Sequence, residues 1–423
     1  MHRRHFLRDT TLLAGGLATG LTLKLSGCRD GGKDSGARRD AGGDGTDGYE
    51  PLRSGEILLG LYPSTTYETA EDAVRASLAR LPFDWLGEGD VVFVKLSCNS
   101  GRVHPAVTSP AAVVALCEVL FERGAGRVLV GDQAGVESVR LAADERRFSS
   151  TRALMEANGL YAAILAAGAE PHFFDDHGYE AGYFAATPPA GHHWGHPLML
   201  PNVVRDVDHI VTLPRLSSHT LAGYTHGLKC AVGWMRDDSR HHMHNDAATL
   251  HEKYAEISYT EELAARTRLV LTFAEQLMLH QGPDTGTVAD VDPRIVIASD
   301  DLAHHDAFSA ALLRYFDVGT PVADGVSPYG DGSTANTLNQ VFTRSYVESA
   351  TGIPWASDGG DYTALRANPY WDGVNADLAL ARAFALQGGV PEQVTVRKDG
   401  AALAGELGEA LSAAYGGLFG LQG

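Results

Sequence analysis

Short continuous apolar runs alternate along this chain with segments of helical period. Residues 57–61 and 91–96 are apolar runs of strand length, bounded by Gly or polar residues, which predicts strands buried on both faces. Between them, residues 70–81 carry helical spacing. Thr108-Ser109-Pro110 opens a second helix with Pro near its first turn, and Val113, Val114, Leu116, Cys117, Leu120 and Phe121 mark its buried side. Gly124-Ala125-Gly126 stops it, and 127–132 is the next strand, closing a βαβ unit. A helix over 152–167 leads through Gly168 to a strand at 171–175, and 209–214, 268–273 and 293–298 read as further strands. The pattern predicts an α/β fold over 56–320, a mostly parallel sheet with helices on both faces. Beyond about 320 it weakens, so 321–423 reads as a small C-terminal extension.

Ligands on such sheets bind beyond the carboxyl ends of the strands. That rule points to three loops, 97–108, 132–138 and 214–229.

The first 28 residues read as an address rather than as structure. Arg3-Arg4 precede an apolar stretch from Thr10 to Leu25 that ends in Leu25-Ser26-Gly27-Cys28, a twin-arginine export signal with a lipoprotein cleavage box. Glycines 15, 16 and 20 make the stretch too short and weak for a spanning helix. Cys28 is then the lipidation site, and Arg29, in place of an Asp retention signal, points to the outer membrane facing the periplasm. The membrane is touched only through that lipid. Residues 29–55, Gly- and Asp-rich, read as a solvated tether.

Charge narrows the partners. With 34 Lys+Arg against 53 Asp+Glu the net charge is −19, which opposes phosphate neutralisation and excludes nucleic acid as a charge-driven partner. The four cysteines, 28, 98, 117 and 230, contain no C-x-x-C pair, so an iron–sulfur cluster held by this chain alone is excluded.

Five of the 18 histidines, His219, His226, His241, His242 and His244, crowd one stretch that follows a predicted strand. His242 and His244 are two apart, which on an extended segment puts both imidazoles on one face, a spacing suited to nickel, zinc or iron. His226 is a third candidate metal ligand. Lys229, ahead of an apolar stretch, is placed for partial burial and covalent chemistry, and Asp132, at a strand end, for orienting a histidine or holding a cofactor. In the loop after 91–96, Arg102 is a candidate for holding an anion and His104 for moving a proton. His304-His305-Asp306 reads as a solvated helix start.

Several stretches resemble the family labelled domain of unknown function 362. They are Val94-Lys95-Leu96; the run from Thr108 to Asp132, similar to T-x-P-x-x-V-x-A…G-A-x-x-V-x-V-G-D; the run from Asp208 to Gly233, similar to D-x-x-I-x-L-P-K-L-K-T-H-x-L-T-G-x-T-x-x-L-K-N-x-x-G; and Gly282-Pro283 through Asp306. Ser217 stands where the family has Lys, and Cys230 where it has Asn. The ferredoxin cysteines of many members are absent. The segment His219, Ala222, Gly223, Tyr224, Thr225, Gly227 and Lys229 also resembles the signature of the nickel-pincer lactate racemase family. That resemblance implies His219 as a general acid/base, Lys229 as the tether of a pyridinium pincer, and His244 or His242 as the metal-binding imidazole. The family's other catalytic histidine has no counterpart where Asp132-Gln133 stands, and His104 is the substitute candidate. The implied function is a metal-dependent isomerase or oxidoreductase acting on a small anionic, 2-hydroxy-acid-like molecule, with Arg102 on its carboxylate. The alternative is a non-catalytic metal-binding or partner-docking lipoprotein.

Overall fold

A computed structural model describes residues 52–219, 222–280, 282–319, 366, 368 and 373–422. The export leader, Cys28, all but the last four residues of the expected tether, and 320–365 lie outside the described residues.

In chain order the strands are β1 (Ile57–Tyr62), β2 (Val91–Leu96), β3 (Arg127–Asp132), β4 (Val139–Leu141), β5 (Arg146–Phe148), β6 (Glu170–Phe173), β7 (Tyr183–Ala185) and β8 (Met199–Pro201). They continue with β9 (His209–Leu213), β10 (Ser217–His219), β11 (Gly223–Thr225), β12 (Thr267–Leu279), β13 (Thr287–Ser299), β14 (Val394–Gly400) and β15 (Phe419–Gln422). One sheet runs β15-β14-β1-β13-β12-β9-β2-β3-β6, with the hairpin β10–β11 hung from β12 through Ser217 opposite Met278. β4–β5 and β7–β8 are separate two-stranded ribbons.

Alternate residues of one strand serve two cores. Val92, Val94 and Leu96 pack into one hydrophobic cluster and Phe93 into the other. Both faces are therefore covered, which is why the strand runs are apolar throughout rather than alternating. One cover is α1 (Ala70–Leu78), α2 (Pro110–Glu122), α3 (Thr151–Asn158) and α4 (Leu160–Ala166). A reciprocal cap starts α1: Thr69 accepts from the Asp72 N–H and Asp72 from the Thr69 N–H. The single helix expected over 152–167 is two, because Gly159 takes φ 87° between α3 and α4.

On the sheet's opposite side lie α5 (Val203–Asp206), α6 (Gly227–Cys230), α7 (Asp237–Asn245), α8 (Leu250–Ile257), α9 (Glu261–Ala264), α10 (Leu302–Gly319), α11 (Leu378–Leu386) and α12 (Gly405–Ala413). Among the described residues no helix is long and apolar enough to cross a membrane.

The sheet is mixed but mostly parallel. β13 runs antiparallel to both β1 and β12, because residues 280–286 between β12 and β13 are too few for a crossover. The C-terminal stretch is more than an appendage: β14 pairs in parallel with β1, placing Val396 beside Ile57, and β15 pairs with β14. Neighbours β9, β2 and β3 are parallel, so their carboxyl ends open at one rim.

Candidate functional site

At that rim a cavity of about 320 Å³ is enclosed by the loops after β2, β3 and β9, by α6 and α7, and by the segment around Pro283. Its framework is a buried ion pair. Lys95 projects from β2 to the same side as Phe93 and meets Asp132, the last residue of β3, at 2.6 Å. The ammonium also donates to the carbonyls of Leu96 (2.8 Å) and Cys230 (3.0 Å). Asp132 in turn accepts from the backbone N–H groups of Cys98 (2.6 Å) and Gln133 (2.8 Å). The three donors of the ammonium each have an acceptor and both carboxylate oxygens accept, as burial requires. Gly233 crosses directly over it, and a Cβ there would lie 2.0 Å from Asp132 Oδ1 and 2.6 Å from Lys95 Nζ. Only glycine lets the chain pass.

His219 ends β10, where Gly223 (φ 90°) lets the chain reverse into β11. Its Nδ1 accepts from the Ala222 N–H at 3.2 Å, which leaves the ring proton on Nε2. Burial, then the Lys229 charge, holds this imidazole neutral, far below the usual histidine range.

Lys229 sits on α6, a single helical turn whose first N–H groups are capped from another element. The Asp306 carboxylate, on α10, accepts from Gly227 N (2.9 Å) and Leu228 N (2.7 Å). The Lys229 amine lines the cavity without a hydrogen bond to any described residue, and burial followed by the Arg240 charge brings its pKa down to about 8.

α7 supplies the remaining wall. Arg240 donates to the carbonyls of Met235, Ala134 and Gln133, tying α7 to the loop after β3. Asp237 accepts from Gln133 Nε2 and Leu141 N, and burial raises its pKa to about 6. One turn beyond Arg240, His244 gives its Nδ1 proton to the Arg240 carbonyl at 2.7 Å, which makes its Nε2 the lone-pair nitrogen; burial takes its pKa to about 3.

Of the residues singled out in sequence, the cavity gathers Asp132, His219, Lys229 and His244. Four others stand apart. His242 and His244 are on a helix, not an extended segment, so two positions separate them by about 200°; His242 stacks on His196 at 3.7 Å instead. His226 is buried against Tyr224, ring centroids 4.5 Å apart, outside the lining. His104 turns its Nδ1 to the Val107 carbonyl, and burial lowers its pKa to about 4; Arg102 is exposed, and neither residue lines the cavity. His305 and Asp306, expected as a solvated helix start, are fully buried, with His305 bonded to Asp306 and Thr272. Among the described residues no group of three or more His, Cys, Asp or Glu is placed to hold a metal ion.

The model of the family described as domain of unknown function (DUF362) matches residues 92–311, which is 220 of 423 positions. The chain belongs to that family. The DUF362 match covers every residue of the cavity named above, from Lys95 on β2 to Asp306 on α10. No curated protein matches the chain closely enough to count as a relative. Among solved structures the chain is similar to a Thermotoga maritima protein from the Northeast Structural Genomics Consortium, at 16% identity and TM-score 0.32, covering 50% of this chain and 51% of that one. It is also similar to the lactate racemase apoprotein from Thermoanaerobacterium thermosaccharolyticum, at 12% identity and TM-score 0.36, covering 62% and 58%. The chain spans little more than half the length of each.

Sequence reasoning missed Lys95, Arg215 and Arg240. Lys95 was visible as a lone charge inside the apolar run 91–96, a position that requires a buried partner. Arg215 stands at the end of β9, where the strand-end rule already pointed. Arg240 carried no signal, since its partners are backbone carbonyls.

Proposed function

We propose that this DUF362 protein is an enzyme acting in the rim cavity on a small organic anion of the 2-hydroxy-acid kind, with an organic or organometallic group carried on Lys229. The observation that carries the reading is the Lys229 amine, facing the cavity beside two neutral imidazoles whose tautomers are opposite. His219, with its proton on Nε2, is set to donate a hydrogen bond to a substrate oxygen. His244, with its lone pair on Nε2 and its protonation disfavoured by burial, is set to bind a metal or accept a hydrogen bond. A metal held by protein donors alone does not fit the described residues. A group bonded to Lys229 and ligated by His244 does fit, because the missing donors are then its own, and it would supply the hydride acceptor that such chemistry needs.

In the protein purified from its native host, intact mass is expected to exceed that of the processed and lipidated chain, with that further excess lost in Lys229→Ala. No mass beyond that of the lipidated chain, together with no turnover of hydroxy acids, overturns the enzyme reading and leaves the non-catalytic metal-binding or partner-docking lipoprotein. In the unmodified chain, acylation of Lys229 is expected to rise with pH to half its plateau near 8, because the free amine dominates above its pKa; a midpoint near 10.5 contradicts an activated amine.

The reading includes export through the twin-arginine leader and lipid anchoring at Cys28 in the outer membrane. Cys28→Ser is expected to move the chain from the membrane to the soluble periplasmic fraction. Unchanged fractionation rules the anchor out.

A further inference from the structure

Arg215 is 2% exposed and lines the cavity, yet its Nε and Nη1 are buried without a hydrogen-bond partner among the described residues. Other buried arginines nearby are satisfied: Arg240, in the same wall, by three carbonyls, and Arg236, outside the lining, by Asp238 through Nε at 2.7 Å and Nη2 at 2.8 Å. An unpaired buried charge is among the costliest features a fold can carry, so its retention calls for a counter-ion that the described residues do not supply.

Each nearby carboxylate is committed elsewhere. Asp132 is spent on Lys95 and two backbone N–H groups. Asp284 attracts Arg215 through space, but its oxygens take hydrogen bonds from Asn99 Nδ2 (3.2 and 3.0 Å) and Ser100 Oγ (2.8 Å). Glu137 is drawn to Lys229 and Arg240, and burial pushes it toward its neutral form. Cys98 and Cys230 also face the guanidinium, but burial keeps both thiols protonated. Of the four basic side chains in the lining, Arg140, Arg215, Lys229 and Arg240, it is Arg215 whose buried nitrogens lack a partner among the described residues, and apolar side chains that include Leu141, Val232 and Pro283 complete the wall.

We infer that Arg215 is the specificity-determining anchor for the carboxylate of the ligand, and that the cavity takes short monocarboxylates with an apolar or hydroxylated body. This rests on the reading above that the cavity binds a small anion. The guanidinium, permanently charged and planar, suits a carboxylate better than the Lys229 ammonium does. That leaves Lys229 for the attached group.

The test is calorimetric titration of the unmodified chain with lactate, propionate and the neutral lactamide. Lactate and propionate are expected to bind and lactamide to bind at least about 30-fold more weakly, as loss of one member of a buried charge pair implies. Arg215→Gln is expected to reduce both acids to the lactamide level, and Arg215→Lys to recover part of the loss. Where the Gln variant does not fold, Arg215→Met keeps the stem volume and carries the same expectation. Thermal unfolding gives a second readout: lactate is expected to raise the midpoint of the native chain and not of the variants. Acid binding undiminished in the Gln or Met variant, or lactamide equal to lactate, overturns the Arg215 assignment alone. A native chain that binds none of the three overturns the assignment and the small-anion reading together.

Discussion

Lys95→Met is expected to destabilise the fold by about 3–5 kcal/mol, because it leaves the Asp132 carboxylate buried without its counter-charge. Asp132→Leu is expected to cost a similar amount by stranding the ammonium, which is fully buried. The double variant should recover most of the loss, since two apolar groups leave no uncompensated charge. Urea unfolding of the four proteins closes the cycle, and single variants within about 1 kcal/mol of the native chain would show that the pair is not what holds the rim. The Asp132 variants carry a second cost. That carboxylate also fixes the N–H groups of Cys98 and Gln133, in the loops that follow β2 and β3. Removing it frees two cavity walls at once, so ligand binding should fall in Asp132→Leu even where the fold survives.

How much of this was legible beforehand follows from what each residue contacts. Strands β1, β2, β3 and β9 were readable because burial on both faces demands unbroken apolar runs, and sequence shows that directly. The outer halves of β12 and β13 were not. There the ribbon carries polar residues such as Gln276 and Asp290, bonded to each other at 2.8 Å across the strands, and nothing marks them as strand. β14 and β15 escaped because Arg397 and Lys398 interrupt the apolar pattern of a strand next to the sheet's edge.

Within the site, Lys229, His219 and Asp132 were located because loops at the carboxyl ends of parallel strands converge whatever their sequence. The partition of the histidines was invisible for a different reason. Whether 241–244 lies on a helix or an extended segment decides which rings share a face, and Asp237-Asp238 at the start of α7 favour the helix through its dipole without appearing in a histidine count. Arg215 was hidden because an unpaired charge is a property of surroundings, not of sequence.

Asp306→Ala is expected to separate the stability of the fold from the chemistry of its cavity. α6 has four residues, too few to hold a helical turn without outside help. Its N-terminal N–H groups, those of Gly227 and Leu228, depend on the two oxygens of one carboxylate that also holds His305. Alanine leaves both donors and an imidazole buried without that acceptor, a loss of about 2–4 kcal/mol. The more telling consequence is local. Lys229 lies two residues beyond the first freed N–H, and its amine is held near pKa 8 chiefly by burial, to which the position of α6 is expected to contribute. A loosened turn admits water, the charged form becomes less costly, and the midpoint of Lys229 acylation should move from about 8 toward the ordinary value of 10.5. Asp306→Asn keeps one oxygen, so its midpoint should fall between the two. The measurement needs a temperature at which the variant is still folded by near-UV circular dichroism. An unchanged midpoint in a folded Asp306→Ala protein would mean that the amine owes its low pKa to the cavity walls, with the α6 cap contributing nothing to its activation.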